Sequence, residues 1–311
     1  MTNEYRSPSP CCSTSRPPNN EKTEIEPVHG NIQAKQADKT GMVFIPGGSF
    51  LMGTNDKEGF PADGEGPVRE KTIDSFYIDP FAVTNADFSR FVEETGYTTE
   101  AEEFQWSFVF YQFVHRKKVE ILNANLPETP WWLPVKDAYW YAPEGKGSDI
   151  SERMNHPVVH VSFNDALAYC RWAGKRLPTE VEWEYAARGG LTQKKYPWGD
   201  ELHPHGQHYC NIWQGAFPTE NEGRDGYMGT APVDAFYPNA FGLYNVSGNV
   251  WEWCSDVFQQ NWQPHTETSR VIRGGSYLCH HSYCNRYRVA ARSSNTPDSS
   301  TGNMGFRCVT S

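Results

Sequence analysis

Long hydrophobic runs are missing from this sequence. No stretch approaches the ~20 apolar residues that a membrane-spanning helix requires. Residues 1–40 are rich in Ser, Pro, Asn and charge, and they contain no apolar segment of the kind found in secretory signals. The sequence therefore predicts a cytoplasmic protein without a membrane anchor.

Positive charge is also in short supply. The chain has 28 Lys and Arg against 38 Asp and Glu, which gives a formal net charge of -10. Such a balance argues against a nucleic-acid-binding surface and favours basic partners.

Sustained hydrophobic periodicity is rare as well, whereas aromatic residues make up 14% of the chain, with 26 Gly and 22 Pro among its 311 residues. This composition fits neither a helical bundle nor a doubly wound sheet. It predicts an α+β protein with little regular secondary structure, pinned by aromatic packing. We expect a disordered tail over residues 1–40, with Cys11 and Cys12 as exposed thiols, and a single domain over residues 41–311.

Capping residues mark three predicted helices, each with Ser or Thr before it, an acidic residue three positions later and Gly at its end. One lies in residues 83–97, between Thr84 and Gly96; two lie in residues 161–190, between Ser162 and Gly174 and between Thr179 and Gly189. "MVFIPGGSFLMG" predicts a hairpin, and "GLYNV" and "RVIRGG" predict short strands.

Cys279 and Cys284 stand five positions apart within "RGGSYLCHHSYCNRYR", residues 273–288. A disulfide across this spacing is sterically possible. A zinc site would need two further ligands, and His280 and His281 are too close to both thiols to assume tetrahedral geometry. A two-thiolate site suits Cu(I). From the residues alone, a disulfide ranks first and copper last.

Three nearby arginines, Arg273, Arg286 and Arg288, carry the local positive charge. We expect this charge to lower the thiol pKa values and to favour thiolates.

The stretch "GGSYLCHHSYCNRYRVAARSSNTPDSS", followed by "GNMGFRC", closely resembles the catalytic segment of the formylglycine-generating enzyme, or sulfatase-modifying factor, family. The resemblance covers nearly all of residues 41–308 and includes "PWWLPVKDA", "NIWQGAFP" and "YNVSGNVWEW". The C-x4-C spacing separates catalytic members from non-catalytic paralogues and from iron-dependent sulfoxide synthases. The resemblance implies a fold related to the C-type lectin fold. It also implies an oxidase that converts the cysteine of a Cys-x-Pro-x-Arg motif in sulfatases to Cα-formylglycine with O2.

The resemblance reverses the ranking at the cysteine pair. It implies that Cys279 and Cys284 hold one Cu(I) in a surface cleft, with the substrate cysteine as a further thiolate. It places Ser276, Tyr283 and Trp251 near the oxygen and thiol pocket. His280 and Asn303 would line the peptide cleft. A turn hydroxyl, packed rings and a capped loop are equally good structural explanations for these five residues. The implied partners are an unfolded sulfatase polypeptide, O2 and an external thiol reductant, with the enzyme a monomer.

The resemblance further implies two structural calcium sites where the residues alone suggest Asx-Gly turns. Mixed carboxylate, amide and carbonyl oxygens suit such a hard cation. The first site would use the side chains of Asn211 and Asp225 and the carbonyls of Ile212 and Tyr227; the second would use Asn245 and Glu252 with the carbonyls of Gly248 and Val250.

A disulfide between Cys170 and Cys308 is implied in the same way, although a reducing cytoplasm could leave it open. Cys170 by itself is a core thiol of a predicted helix. The family's other structural bridge is missing here, because Ala187 and Val289 occupy its positions. Cys210 and Cys254 adjoin the two presumed calcium loops, and we expect them to remain thiols.

Two rival functions remain. One is a non-catalytic, lectin-like paralogue that binds peptide or carbohydrate, which the intact cysteine pair disfavours. The other is an iron-dependent sulfoxide synthase, which needs a separate helical domain with metal-binding histidines that this chain has no room to hold.

Overall fold

The computed structural model describes residues 14–16, 34–123, 126–259 and 269–311. The helices in these ranges are α1 (Asn85–Thr95), α2 (Glu100–Phe104), α3 (Phe163–Ala173) and α4 (Glu180–Arg188). The strands are β1 (Val43–Ile45), β2 (Gly48–Met52), β3 (Arg69–Ile73), β4 (Phe76–Ile78), β5 (Trp106–Phe110), β6 (Trp132–Lys136), β7 (Trp251–Val257), β8 (Arg270–Arg273), β9 (Arg292–Asn295), β10 (Met304–Gly305) and β11 (Val309–Thr310). Short 3-10 turns occupy Pro61–Asp63, Tyr111–Phe113, Ser151–Arg153 and Pro204–Gly206.

The capping pattern is confirmed for α1, α3 and α4. The side chains of Thr84, Ser162 and Thr179 each accept the amide hydrogen bond from three residues on, and the predicted glycines follow in the left-handed region. α2 was not predicted, although Thr99 caps it with the same reciprocal bond to Glu102. At five residues, α2 is too short to show a hydrophobic period.

The sheet that positions the site has four strands in the order β10-β7-β8-β9. β8 pairs antiparallel with both β7 and β9, and β10 runs parallel to β7. Arg273 at the end of β8 lies opposite Arg292 at the start of β9. The loop between them, residues 274–291, therefore starts and ends at the same end of two adjacent strands.

The predicted hairpin at "MVFIPGGSFLMG" is wrong. β1 and β2 flank the Pro-Gly-Gly turn, but β1 pairs with β4 and β2 pairs with β3. Alternating apolar residues specify which face of a strand is buried and leave its pairing partner open. "GLYNV" forms no strand in the described chain, whereas the "RVIRGG" prediction is confirmed by β8.

Aromatic packing holds the core, as the composition predicted. The largest hydrophobic cluster contains fully buried rings from β6, β7 and the loops, among them Trp132, Trp213, Trp251 and Trp253. The α+β fold with few helices is thereby confirmed. No helix in the described ranges is long and apolar enough to cross a membrane.

The expected disordered tail, residues 1–40, falls mostly outside the described residues, as do Cys11 and Cys12. Its described parts, residues 14–16 and 34–40, contact the domain. The Lys35 amide donates to the Trp172 carbonyl at 3.1 Å, and its ammonium group pairs with Glu94 at 2.5 Å.

Candidate active site

Gly275 allows the loop of residues 274–291 to close on itself. Its φ is +73°, and a β-carbon there would lie 2.9 Å from the Arg286 carbonyl oxygen. Only glycine combines this backbone conformation with so close an approach. The two limbs of the loop can therefore touch at its base.

A tight turn at the tip brings the two cysteines together. The His280 carbonyl accepts hydrogen bonds from the amides of Tyr283, Cys284 and Asn285 at 2.9–3.0 Å, which folds the chain back on itself. The sulfurs of Cys279 and Cys284 then lie 2.9 Å apart. This is longer than the ~2.05 Å of a disulfide bond. Both residues are fully buried, so the expected surface cleft is replaced by a buried position.

Ser276 and Asn303 link this sulfur pair to the strand edge. The Ser276 amide donates to Cys279 Sγ at 3.4 Å, and its hydroxyl accepts from Asn303 Nδ2 at 2.9 Å. Asn303 Oδ1 in turn accepts from the Thr301 hydroxyl at 2.6 Å. Such outer contacts orient a metal-binding sulfur and stabilise its anionic form. The two predicted residues are thus brought together beside the cysteines.

Tyr283 forms an aromatic wall next to Cys284. Its ring stacks on Phe217 at 4.5 Å between centroids and meets Trp131 edge-on at 5.1 Å. Sequence reasoning missed these two partners, although both lie in family motifs, "NIWQGAFP" and "PWWLPVKDA". Trp251 lies at the start of β7, fully buried in the same hydrophobic cluster as both cysteines, and its amide donates to the Asn303 carbonyl.

His280 lies on the more exposed side of the turn. Its Nδ1 is 2.8 Å from the Ser282 hydroxyl, and its ring lies 4.0 Å from that of His281. Burial, and to a lesser degree His281, lowers the pKa of His280. Its placement in a peptide cleft stays a prediction.

The three arginines that we expect to lower the thiol pKa values are each paired with carboxylates. Their effect on the two thiols stays a prediction. The pairs are Arg273 with Glu180 at 3.1 Å and Glu184 at 2.5 Å, Arg286 with Asp63 at 2.5 Å, and Arg288 with Glu65 at 2.7 Å. Each of these side chains is nearly or fully buried. The arginines therefore fasten the loop to α4 and to the chain at residues 63–65.

The number and type of side chains at the cysteine pair bear on whether zinc or Cu(I) would fit there. The described residues contain no group of three or more His, Cys, Asp or Glu side chains placed to hold a metal ion. Structural zinc normally takes four protein ligands. Two facing thiols suit Cu(I), which is soft and accepts thiolates.

Comparison with known proteins agrees with this geometry. The family model described as "Sulfatase-modifying factor enzyme 1-like domain" matches residues 29–311. The chain belongs to this family.

Alignments with curated relatives cover most of the length of each relative. The formylglycine-generating enzyme of Thermomonospora curvata is 59% identical over 282 residues, covering 86% of this chain and 93% of the relative. The enzyme of that name from Mus musculus is 57% identical over 279 residues, covering 87% and 75%. The inactive Cα-formylglycine-generating enzyme 2 of Mus musculus is 50% identical over 283 residues, covering 90% and 89%.

Among solved structures, PvdO from Pseudomonas aeruginosa superposes with a TM-score of 0.61 at 25% identity. The match covers 86% of this chain and 93% of PvdO. This likeness confirms the fold class predicted from the sequence.

At the first predicted calcium site, buried oxygens lie close together. In the described part of the chain, Asn211 Oδ1 is buried without a hydrogen-bond partner. The Ile212 carbonyl and Asp225 Oδ2 both accept from one nitrogen, Nε2 of Gln214. Burial raises the pKa of Asp225. The backbone amide of Tyr227 donates to the Asp225 carboxylate at 3.0 Å. An oxygen-rich set with an unused acceptor fits Ca²⁺.

The second set is less open. Asn245 Oδ1 is buried without a partner among the described residues, and Gly248 and Val250 lie in the adjoining turn and strand start. The Glu252 carboxylate, however, accepts from Arg307 at 2.7 Å on each oxygen and from Trp183 Nε1 at 2.7 Å. Of these two side chains, only Asn245 has an oxygen free to bind a cation among the described contacts.

The other four cysteines of the described ranges are buried. Cys170 Sγ and Cys308 Sγ lie 3.5 Å apart between α3 and the C-terminus, so the implied bridge stays a prediction. Burial raises the pKa of the Cys308, Cys210 and Cys254 thiols.

Proposed function

We propose that this protein oxidises the cysteine of a Cys-x-Pro-x-Arg segment in a sulfatase to Cα-formylglycine, with O2 as the oxidant. The observation that supports this most is the buried pair of Cys279 and Cys284, with sulfurs 2.9 Å apart. Family membership supplies the substrate class. Two soft thiols in a shielded position supply ligands for Cu(I).

The reaction balances with a thiol reductant. The substrate Cβ loses hydrogen and its bond to sulfur, and the sulfur leaves as sulfide. A thioaldehyde forms first and is then hydrolysed, so the aldehyde oxygen comes from water and both oxygen atoms of O2 end in water. The external thiol, oxidised to a disulfide, supplies the remaining two electrons and two protons.

Copper, when bound, would supply one-electron chemistry with O2. Cys279 and Cys284 would hold it. Ser276 fixes Cys279 through its amide, and Asn303 holds the Ser276 hydroxyl in place. Tyr283 packs against Phe217 and Trp131, and in this proposal these rings would limit the access of water to the sulfurs.

Calcium at the two predicted sites would be structural in this proposal. It would fix loops that contain little regular secondary structure between Tyr196 and β7. A monomer acting in the cytoplasm is our working expectation.

A non-catalytic paralogue is the main rival, since an inactive relative is 50% identical. A turnover assay separates the two. The purified protein would be incubated with a Cys-x-Pro-x-Arg peptide and a thiol reductant, with and without Cu(I), and the aldehyde product would be captured and weighed by mass spectrometry. A Ser-x-Pro-x-Arg peptide is the control. We expect copper-dependent aldehyde; no product at full copper loading would overturn the proposal.

A further inference from the structure

A piece of the N-terminal region lies in a fitted groove on the domain. We call residues 14–16 the docked segment. Arg16 is only 6% exposed, although it belongs to a part of the chain expected to be a tail. Its groove, the arginine cradle, consists of Phe104, Trp106, Asp298, Ser299 and Ser300.

The cradle holds the Arg16 guanidinium by carbonyls, a hydroxyl and rings. Nη2 donates to the Trp106 carbonyl at 2.7 Å and to the Ser300 hydroxyl at 3.2 Å, and Nε donates to the Asp298 carbonyl at 3.0 Å. The guanidinium carbon lies 4.3 Å from the Phe104 ring centre and 4.1 Å from that of Trp106. Cation–π contacts of this kind stabilise a cation without a counter-ion.

Other buried arginines are held differently. Arg188, Arg273, Arg286, Arg288, Arg292 and Arg307 each bind a buried carboxylate. A carboxylate left behind when its arginine departs would be a buried, uncompensated charge, which is costly. A cradle of carbonyls and rings avoids that cost. Departure of Arg16 would therefore not break an ion pair of this kind.

Burial lowers the pKa of Arg16 to about 10, and the nearby Asp298, Glu100 and Asp165 offset part of this effect. Its Nη1 is buried without a hydrogen-bond partner among the described residues. Arg16 is thus charged at neutral pH and incompletely satisfied, as expected for an occupant that binds reversibly.

The cradle is linked to the candidate active site through residues 300–303. Ser300 precedes Thr301, whose hydroxyl donates to Asn303, and Asn303 binds the Ser276 hydroxyl beside Cys279. A short path of backbone links and hydrogen bonds therefore connects the guanidinium site to the sulfur pair.

The segment leads from the cradle towards the aromatic wall. The Thr14 hydroxyl lies 3.4 Å from that of Thr129, two residues before Trp131, and Trp131 packs on Tyr283. Asn295 fixes the backbone, because its Nδ2 donates to the Thr14 carbonyl at 3.0 Å.

The sequence of this region matches the spacing of the substrate motif. Residues 12–16 read Cys-Ser-Thr-Ser-Arg, so a cysteine precedes the docked arginine by four positions, as in Cys-x-Pro-x-Arg. Thr14 stands where that motif has proline. Cys12 lies outside the described residues.

We propose that the docked segment is an intramolecular pseudosubstrate, which occupies the cradle that receives the arginine of a sulfatase segment. The proposal rests on the function proposed above. A tethered occupant has an effective concentration that can reach the millimolar range, so it weakens the apparent affinity of any peptide that must displace it.

The test measures peptide binding without turnover. A fluorescent Ser-x-Pro-x-Arg peptide, which cannot be oxidised at its serine, would be titrated by anisotropy into the full chain and into Arg16→Ala and Arg16→Gln. We expect both variants to bind the peptide about tenfold more tightly, because the competitor has lost its anchor. Arg90→Ala, which alters an exposed arginine on α1, is the matched control and should bind as the unaltered chain does.

Specificity for the cradle has its own control. A peptide with Ala in place of Arg should gain nothing from Arg16→Ala. In the turnover assay, Arg16→Ala should lower KM for the cysteine peptide and leave kcat unchanged.

Three results would overturn the proposal. Unchanged peptide affinity in Arg16→Ala, with a lowered melting temperature, would make the segment a structural strap. No peptide binding by Arg16→Ala would show that the vacated cradle does not accept a substrate arginine. Conversion of Cys12 to formylglycine in the intact protein would make the segment a substrate. Because binding is measured with the serine peptide, a gain in affinity would support the proposal even if turnover failed.

Discussion

Two pairs of buried cysteines face each other in this protein, in different settings. Cys279 and Cys284 are five residues apart on one loop, with sulfurs 2.9 Å apart and a backbone amide donating to one of them. Cys170 and Cys308 are 138 residues apart, with sulfurs 3.5 Å apart in the core. The first pair lies in a polar, hydrogen-bonded network. The second joins α3 to the C-terminus.

The chain-entropy estimate shows what each pair would contribute as a disulfide. Closing the short loop would stabilise the fold by about 2 kcal/mol, whereas closing the long one would contribute about 5 kcal/mol. A disulfide between Cys170 and Cys308 would thus stabilise the fold more. The small gain at Cys279 and Cys284, which a tight turn brings together, favours a role in metal binding for that pair.

The largest expected effect is on turnover. Cys284→Ser should reduce peptide oxidation at least about a thousandfold, because it removes one of two soft metal ligands. Cys308→Ser, the matched control, should keep most of the activity. Equal loss of turnover in the two variants, both folded, would break the comparison.

The serine variants of Cys279 and Cys284 should have a lower free energy of unfolding than the unaltered protein. Cysteines in a surface cleft would predict almost no change. Cys279 and Cys284 are fully buried, so a hydroxyl in place of either thiol should cost about 1–3 kcal/mol. Urea unfolding measures this cost. A larger loss, matched by falling activity in proportion to unfolded protein, would favour a structural role for the pair.

Oxidation should stabilise the distant pair most. Non-reducing peptide mapping of oxidised protein should recover Cys170 linked to Cys308, with a gain of about 4–5 kcal/mol over the reduced form. Cys279 and Cys284 should be linked only when copper is absent. Recovery of Cys170 with any other cysteine would contradict the arrangement of α3 and the C-terminus.

Calcium removal should destabilise the region around Cys279 and Cys284 more than the region around Cys170 and Cys308. The Trp213 amide, next to the first predicted calcium site, donates to the Cys279 carbonyl at 3.0 Å. A chelator should lower the melting temperature, since an ion at 100 times its Kd contributes about 2.7 kcal/mol. Asp225→Ala should mimic part of this loss, and Asp74→Ala, at an exposed position, should not. An unchanged melting curve would argue against exchangeable calcium.

The smallest effect concerns alkylation. Burial raises the pKa of the Cys308 thiol above its ordinary value of 9.0. In the folded, reduced protein this thiol should therefore stay protonated at pH 9, when an unfolded cysteine is half ionised, and folding stability should fall as pH rises further. Cys308 should react with iodoacetamide only at the rate of unfolding. Rapid labelling at pH 9 would contradict its burial.

Local signals in the sequence predicted local structure well. Thr84, Ser162 and Thr179 begin helices because each can satisfy an amide three residues on, and that bond needs no tertiary context. The Cys279 and Cys284 spacing was likewise readable, since a turn of five residues brings its ends together without help from the rest of the fold.

Long-range partners could not be predicted. The strand at Val43–Ile45 alternates as a hairpin strand does, but β4 is its partner. Arg286, which we expect to act on the thiols, also binds Asp63, 223 residues away in the sequence. The contacts of Arg16 with the loop after β9 are of the same kind. These pairings depend on which surfaces the fold brings together, and no spacing rule contains that information.

A Cu(I) titration of the apoprotein tests the central claim most directly. We predict that the unaltered chain binds one Cu(I) tightly, that Cys279→Ser loses this binding, and that peptide oxidation rises in step with copper content. A zinc site would instead keep activity in the presence of a Cu(I) chelator. Full turnover by Cys279→Ser at unchanged copper content would contradict the account.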